Sequence, residues 1–145
     1  GVSKFLRENK SDIQIGIADP KGAAMYNFFQ NNKVEPSAGN SISEGIGLGR
    51  VTPIIEEIEK VDYCYSIEDI DALHYIYKLV KNEGVILGGS SAINIAGAVN
   101  LAKDIGKGKT IVTILCDHGS RYQSKIYNQK FLKEKKLSVP DWLKN

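Results

Sequence analysis

Three short stretches carry residues whose types and spacing could do chemistry: Asp19-Pro20, Gly88-Gly-Ser-Ser-Ala92 and Cys116-Asp-His-Gly-Ser-Arg121. Each follows an apolar run of strand character, and in open parallel sheets ligands bind just beyond the carboxyl ends of the strands. The middle stretch is the most telling. Small residues let a backbone approach a ligand, while serine hydroxyls and the free N–H groups of a helix start offer donors. The same residues also suit a tight strand-to-helix turn capped by Ser90 or Ser91, and locally both readings stay open.

Other patterns fail on spacing. Gly45-Ile-Gly-Leu-Gly49 has the wrong interval for a dinucleotide turn, follows no strand and opens no clear helix. Gly106-Lys-Gly-Lys-Thr110 is like the end of a phosphate loop, but Lys103 stands where the first glycine belongs, and a strand follows instead of a helix. It reads as a turn with solvated lysines. Asp117, His118 and Ser120 are too close in sequence to converge as a triad, whose members come from separate segments. His74, between Leu73 and Tyr75, has no Cys or carboxylate at ligand spacing, so no metal site is expected. Arg121, Lys125, Lys130, Lys133, Lys135 and Lys136 read as a solvated face around a last helix, where cations complement the dipole.

Positioning such residues requires a core, and 145 residues with 42% hydrophobic and 25% charged are enough for one globular domain without a metal or disulfide staple. A net charge of +2 is too small and scattered to attract nucleic acid, so small-molecule or protein partners are expected. Cys64 and Cys116 lie far apart in apolar runs and read as reduced, buried thiols of a cytoplasmic protein. Apolar runs such as residues 111–116 fall far short of the ~18 residues of a membrane span, and no secretory signal is visible. The chain opens on Gly1, already within a helical pattern, as a fragment of something longer would.

Periodicity predicts a helix over residues 2–9, a strand over 13–18 ending at Asp19-Pro20, and a long loop-rich excursion over 21–60. It then predicts a strand at 61–65, a helix at 67–82 capped by Ser66, a strand at 84–88, a helix at 92–105, a strand at 110–115 and a helix at 122–135. Asp69 serves as a weak stand-in for the capping-box Glu. Apolar strands alternating with amphipathic helices imply an α/β fold with a doubly wound parallel sheet.

Ser41-Ile-Ser-Glu-Gly-Ile-Gly47, Glu83-Gly-Val-Ile-Leu-Gly-Gly-Ser-Ser-Ala-Ile-Asn-Ile-Ala-Gly-Ala98 and Lys109-Thr-Ile-Val-Thr-Ile-Leu-Cys-Asp-His-Gly-Ser-Arg-Tyr-Gln-Ser124 closely resemble the C-terminal half of cysteine synthases. These belong with cystathionine β-synthase and threonine dehydratase among the pyridoxal-phosphate enzymes of the tryptophan-synthase-β type. Leu137-Ser-Val-Pro-Asp-Trp-Leu143 looks like the close of a bacterial member. The resemblance runs over essentially the whole chain, as a partial large domain of that fold.

The resemblance implies that a full-length member is a homodimer and makes cysteine from O-acetylserine and sulfide by β-replacement on pyridoxal 5'-phosphate. Ser90 matches the serine that hydrogen-bonds the pyridine nitrogen. Gly45 matches the loop that approaches the amino-acid substrate, and Cys116 and Asp117 match positions near the pyridine edge. The Schiff-base lysine, the asparagine at the cofactor's 3' oxygen and the phosphate cup belong to the family's N-terminal half. No catalytic residue is therefore expected in this chain, which is expected to be inactive alone and to bind that missing half or self-associate. Ala92 stands where most relatives have Gly, and His118 at a position that varies. The rival expectation is a noncatalytic remnant or interaction module that keeps the sheet and binds no cofactor.

Overall fold

A computed structural model describes every residue except Ser11, Glu59 and Asn145. Helix α1 spans Val2–Asn9, strand β1 Gly16–Pro20, α2 Met25–Asn31, α3 Pro53–Glu56 and strand β2 Tyr63–Ile67. Helices α4, Asp69–Glu83, and α5, Gly89–Ile105, follow; α6 is Gln129–Glu134, and single 3-10 turns lie at Gly119–Tyr122 and Asp141–Leu143.

Strands β1 and β2 pair in parallel, with Ala18 opposite Tyr65 and Asp19 opposite Ser66. Helices α2 and α5 both pack on this pair, and α4 packs against α5. On α4 the buried residues are Ala72, Leu73, Ile76 and Tyr77, one stripe at helical spacing. Ile67, Ile76, Ile93 and Leu132 form the fully buried centre, each contributing roughly 1.5–3 kcal/mol by leaving water. Gly97 sets the distance between α5 and β1, because a Cβ there would collide with that of Ala18.

Several elements depart from expectation. The excursion over 21–60 holds α2 and α3; Glu59 within it lies outside the described residues. Strand β1 runs on through Pro20, since the ladder's next bond is donated by Lys21 to the Ile67 carbonyl and needs nothing from proline. Ser66 does not cap α4: it lies in β2, its buried hydroxyl unpartnered among the described residues, and Glu68 holds the N-cap position. The strand expected at 84–88 shrinks to an antiparallel bridge between Leu87 and His118, because the Tyr127 hydroxyl satisfies both the N–H and the carbonyl of Leu87 in place of a neighbouring strand.

The strand expected at 110–115 is unpaired among the described residues, with Val112 85% and Ile114 65% exposed. Its apolar pattern is that of a strand, but a ladder also needs a neighbour. Cys116, at its end, is exposed rather than buried, and Cys64 is partly buried. The helix expected over 122–135 is broken. The Tyr77 hydroxyl donates to the Ile126 carbonyl at 2.5 Å, and the Asn128 side chain accepts from the Phe131 amide at 3.1 Å, starting α6 afresh. Among the described residues no helix is long and apolar enough to cross a membrane.

Candidate functional site

The start of α5 is where the singled-out residues meet. Gly88 precedes the helix in extended conformation, and Gly89, Ser90 and Ser91 are all buried in its first turn. Seventeen residues of helix place the positive end of the macrodipole there. Neither serine caps the helix. The Ser91 hydroxyl instead accepts from the Cys116 amide at 2.9 Å, while Ser90, 6% exposed, keeps a hydroxyl free of any capping role.

Residues 116–119 lie along this turn. Gly88 donates its amide to the Asp117 carbonyl at 3.0 Å, and Gly119 donates to the Ile86 carbonyl at 3.0 Å. The Asn94 side chain donates to the Ile114 carbonyl at 3.0 Å, fastening the preceding segment to α5. The Asp117 carboxylate folds back over Gly88, where a Cβ would collide with Oδ1 and with the Tyr122 ring. Tyr122 donates its hydroxyl to Oδ2 at 2.6 Å, and the carboxylate pushes the phenol's pKa up. Oδ1 is buried and unpartnered among the described residues. His118 and Ser120 bond each other at 3.0 Å on the exposed side, a local turn with no third member among the described residues.

The Ser41–Gly47 loop closes the other side. Asp69, in the first turn of α4, accepts from the Ser41 hydroxyl at 2.5 Å and from the Ile42 amide at 2.9 Å. Ser43 then lies over Gly89, in van der Waals reach of a Cβ placed there. Glu44 pairs with Lys125, so this lysine is not simply solvated as expected; Lys135 also lies 5.8 Å over the Phe131 ring. Gly45 has φ +74° with open space around it, whereas Gly47, at φ +80°, is pressed against Pro20 and Ala23. Asp19-Pro20 therefore supports the loop through its proline. Asp19 itself accepts from the Tyr26 amide at 2.8 Å; burial pushes its pKa up, and its Oδ1 is unpartnered among the described residues.

Structure thus joins Ser90, Asp117 and the Gly45 loop around one helix start. Cys116 takes part through its backbone, its thiol lying 3.6 Å from the Asn94 amide group. Sequence reasoning missed the roles of Asp69 and Tyr122: Asp69 carried a capping signal for its own helix, and Tyr122 none. His74 stands on the exposed side of α4, and among the described residues no three His, Cys, Asp or Glu side chains gather as a metal site.

The donor set fits one edge of pyridoxal phosphate. A buried serine hydroxyl uncommitted to capping can meet a pyridine nitrogen, and two glycines clear the backbone for a flat ring. Beside them the Asp117 Oδ1 is buried and unpartnered among the described residues, a polar atom with acceptor capacity to spare.

Comparison with known proteins agrees. The family described as pyridoxal-phosphate dependent enzyme matches residues 1–117. Cysteine synthase 1 of Neurospora crassa is 34% identical over 99% of this chain, and the cysteine synthase of Dictyostelium discoideum 36% identical over 97%. This chain spans 39% of the length of each. Among solved structures, the O-acetylserine dependent cystathionine β-synthase of Helicobacter pylori superposes with TM-score 0.70 at 28% identity, over 84% of this chain and 37% of that one. A hydrogen sulfide-producing enzyme, solved as a D232N mutant with an α-aminoacrylate intermediate, superposes with TM-score 0.71 at 28% identity, over 99% and 39%. The α/β architecture with its parallel sheet is the one these enzymes share, and the chain belongs to the pyridoxal-phosphate-dependent enzyme family.

Proposed function

We propose that residues 1–145 are a single-domain C-terminal portion of a cytoplasmic, homodimeric cysteine synthase, making cysteine and acetate from O-acetylserine and sulfide. The observation that carries this reading is the division of labour between the two serines: Ser91 holds the Cys116 segment, leaving the buried Ser90 hydroxyl available. When bound, pyridoxal phosphate supplies the electron sink for chemistry at the substrate's α carbon. Ser90 would hold the ring nitrogen through its neutral hydroxyl, a partner that does not require that nitrogen to be protonated. Asp117, steadied by Tyr122, and the Cys116 backbone shape the pyridine edge. The loop around Gly45, anchored by Asp69, approaches the substrate amino group and excludes water.

No lysine of this chain stands in the family's Schiff-base context, so it is inactive alone and works with the preceding half of the protein. The exposed apolar segment at 110–115 is the surface that half covers, or through which copies self-associate. A second reading, a portion of a cystathionine β-synthase-like enzyme, draws on the Helicobacter pylori neighbour.

The test is to join this chain to the preceding half of its own protein and assay it with pyridoxal phosphate. Cysteine formation from O-acetylserine and sulfide supports the proposal. Replacement by homocysteine alone favours the second reading, and a joined protein that binds no cofactor is the noncatalytic remnant.

A further inference from the structure

Beyond this site, α4 forms one wall of a groove of about 910 Å³, closed on its other side by residues 138–142. That is the size of a small-molecule site. None of its lining residues belongs to the α5 start or the Ser41–Gly47 loop. Ile70, Leu73 and Tyr77 line the floor at helical spacing, and Trp142 rises opposite, its ring edge-on to Tyr77 at 5.7 Å. His74, Lys78 and Lys81 run beside the apolar stripe as a parallel row.

Positive charge outnumbers negative along the lining, where the pKa of the Asp141 carboxyl is held below its ordinary value first by Lys144 and also by Lys81. Among the described residues neither Lys78 nor Lys81 has a salt-bridge partner, and the lining carboxylate, Asp141, is paired with Lys144 at 2.5 Å. The floor asks for an apolar body, and the two lysines ask for an anionic head.

We propose that this groove binds a small amphipathic carboxylate, its aromatic or short alkyl body between Trp142 and α4 and its carboxylate at Lys78 and Lys81. Trp142 is the chain's one tryptophan, so its emission reports on this groove. Phenylbutyrate is the probe, and phenylbutylamine the matched cation.

Titrating the 145-residue chain with phenylbutyrate should shift Trp142 emission saturably, with half-saturation about tenfold lower than for phenylbutylamine. The double variant Lys78→Glu/Lys81→Glu, with an unchanged melting profile, should abolish that preference. Amide NMR shifts should move along α4 and residues 138–142. No saturable response, an equal response to the amine, or a preference that survives the double variant would overturn the proposal. So would emission that changes with protein concentration in the Val112→Lys/Ile114→Lys variant, which makes a second copy the occupant.

Discussion

The Ser91 hydroxyl accepts a hydrogen bond from the Cys116 amide at 2.9 Å, across 25 residues of chain. The bond joins the first turn of α5 to the segment that carries Asp117, and it separates two adjacent serines by role. Ser91→Ala leaves the partly buried Cys116 amide unpaired, and should cost about 1 kcal/mol, toward the low end of the usual penalty. Ser90→Ala should leave urea unfolding of the chain within ~0.5 kcal/mol of wild type, yet remove much of the activity of the joined protein. Equal destabilisation by the two substitutions, or full turnover without the Ser90 hydroxyl, would make both serines packing residues.

Gly97 tests the close approach of α5 to β1. Gly97→Ala puts a methyl into Ala18, and the helix must shift away from the sheet. The gain in helix propensity is about 1 kcal/mol, against an overpacking cost of roughly 1–3 kcal/mol. Net destabilisation is expected in chemical denaturation, and Gly97→Ala combined with Ala18→Gly should recover most of it.

Two carboxylates act with opposite sign on acid stability. Asp62 bonds Lys60 and the Ile15 amide and pairs with Arg7, which hold its pKa below the ordinary 3.8. That stabilisation is present above the unfolded-state value and is lost as pH falls through the folded one. Asp19 is displaced upward, by burial first, so the folded state takes its proton before the unfolded state does, and acidification through that window adds stability. Unfolding midpoints followed from neutral to about pH 3 should therefore fall less steeply in Asp62→Asn and lose an early gain in Asp19→Asn. Acid limbs identical to wild type in both variants would contradict the assignment.

Removing the Tyr122 hydroxyl isolates the Asp117 contact. Tyr122→Phe leaves both carboxylate oxygens without a donor among the described residues, and should cost roughly 1–2 kcal/mol, limited by partial solvent access. Conversely, Asp117→Asn should lower the Tyr122 phenol's pKa, followed by NMR of labelled tyrosine rings. A phenol that does not respond would place the two groups apart in solution.

Val112, Ile114 and Leu115 present exposed apolar surface. Sedimentation over a wide concentration range should show the isolated chain associating, and Val112→Lys with Ile114→Lys should weaken this. The preceding half of the protein should compete for the same surface. A strictly monomeric chain that ignores that half would show that these residues need no partner.

What the sequence determined by itself was local. The helical stripe of α4, the helix that follows Gly88 and the alternation that places an α/β parallel sheet depend on bonds and side-chain spacing within a few residues, which order of residues alone specifies. The small residues at 88–92 were visible as a place where a ligand could approach, whereas the Gly45 loop was so only through its resemblance to the family. Tertiary structure decided how those pieces are used. Whether Ser90 or Ser91 is engaged depends on Cys116, 25 residues on; Asp69 anchors Ser41 rather than capping its own helix; and Tyr127 satisfies Leu87 where a strand was expected. Each of these partners is distant in sequence and competes with water and with nearer groups until packing brings it within 3 Å or so. The pattern of residues 110–115 is strand-like for the same reason that it remains unpaired here: side-chain alternation is a property of the segment, and a ladder is a property of its neighbour.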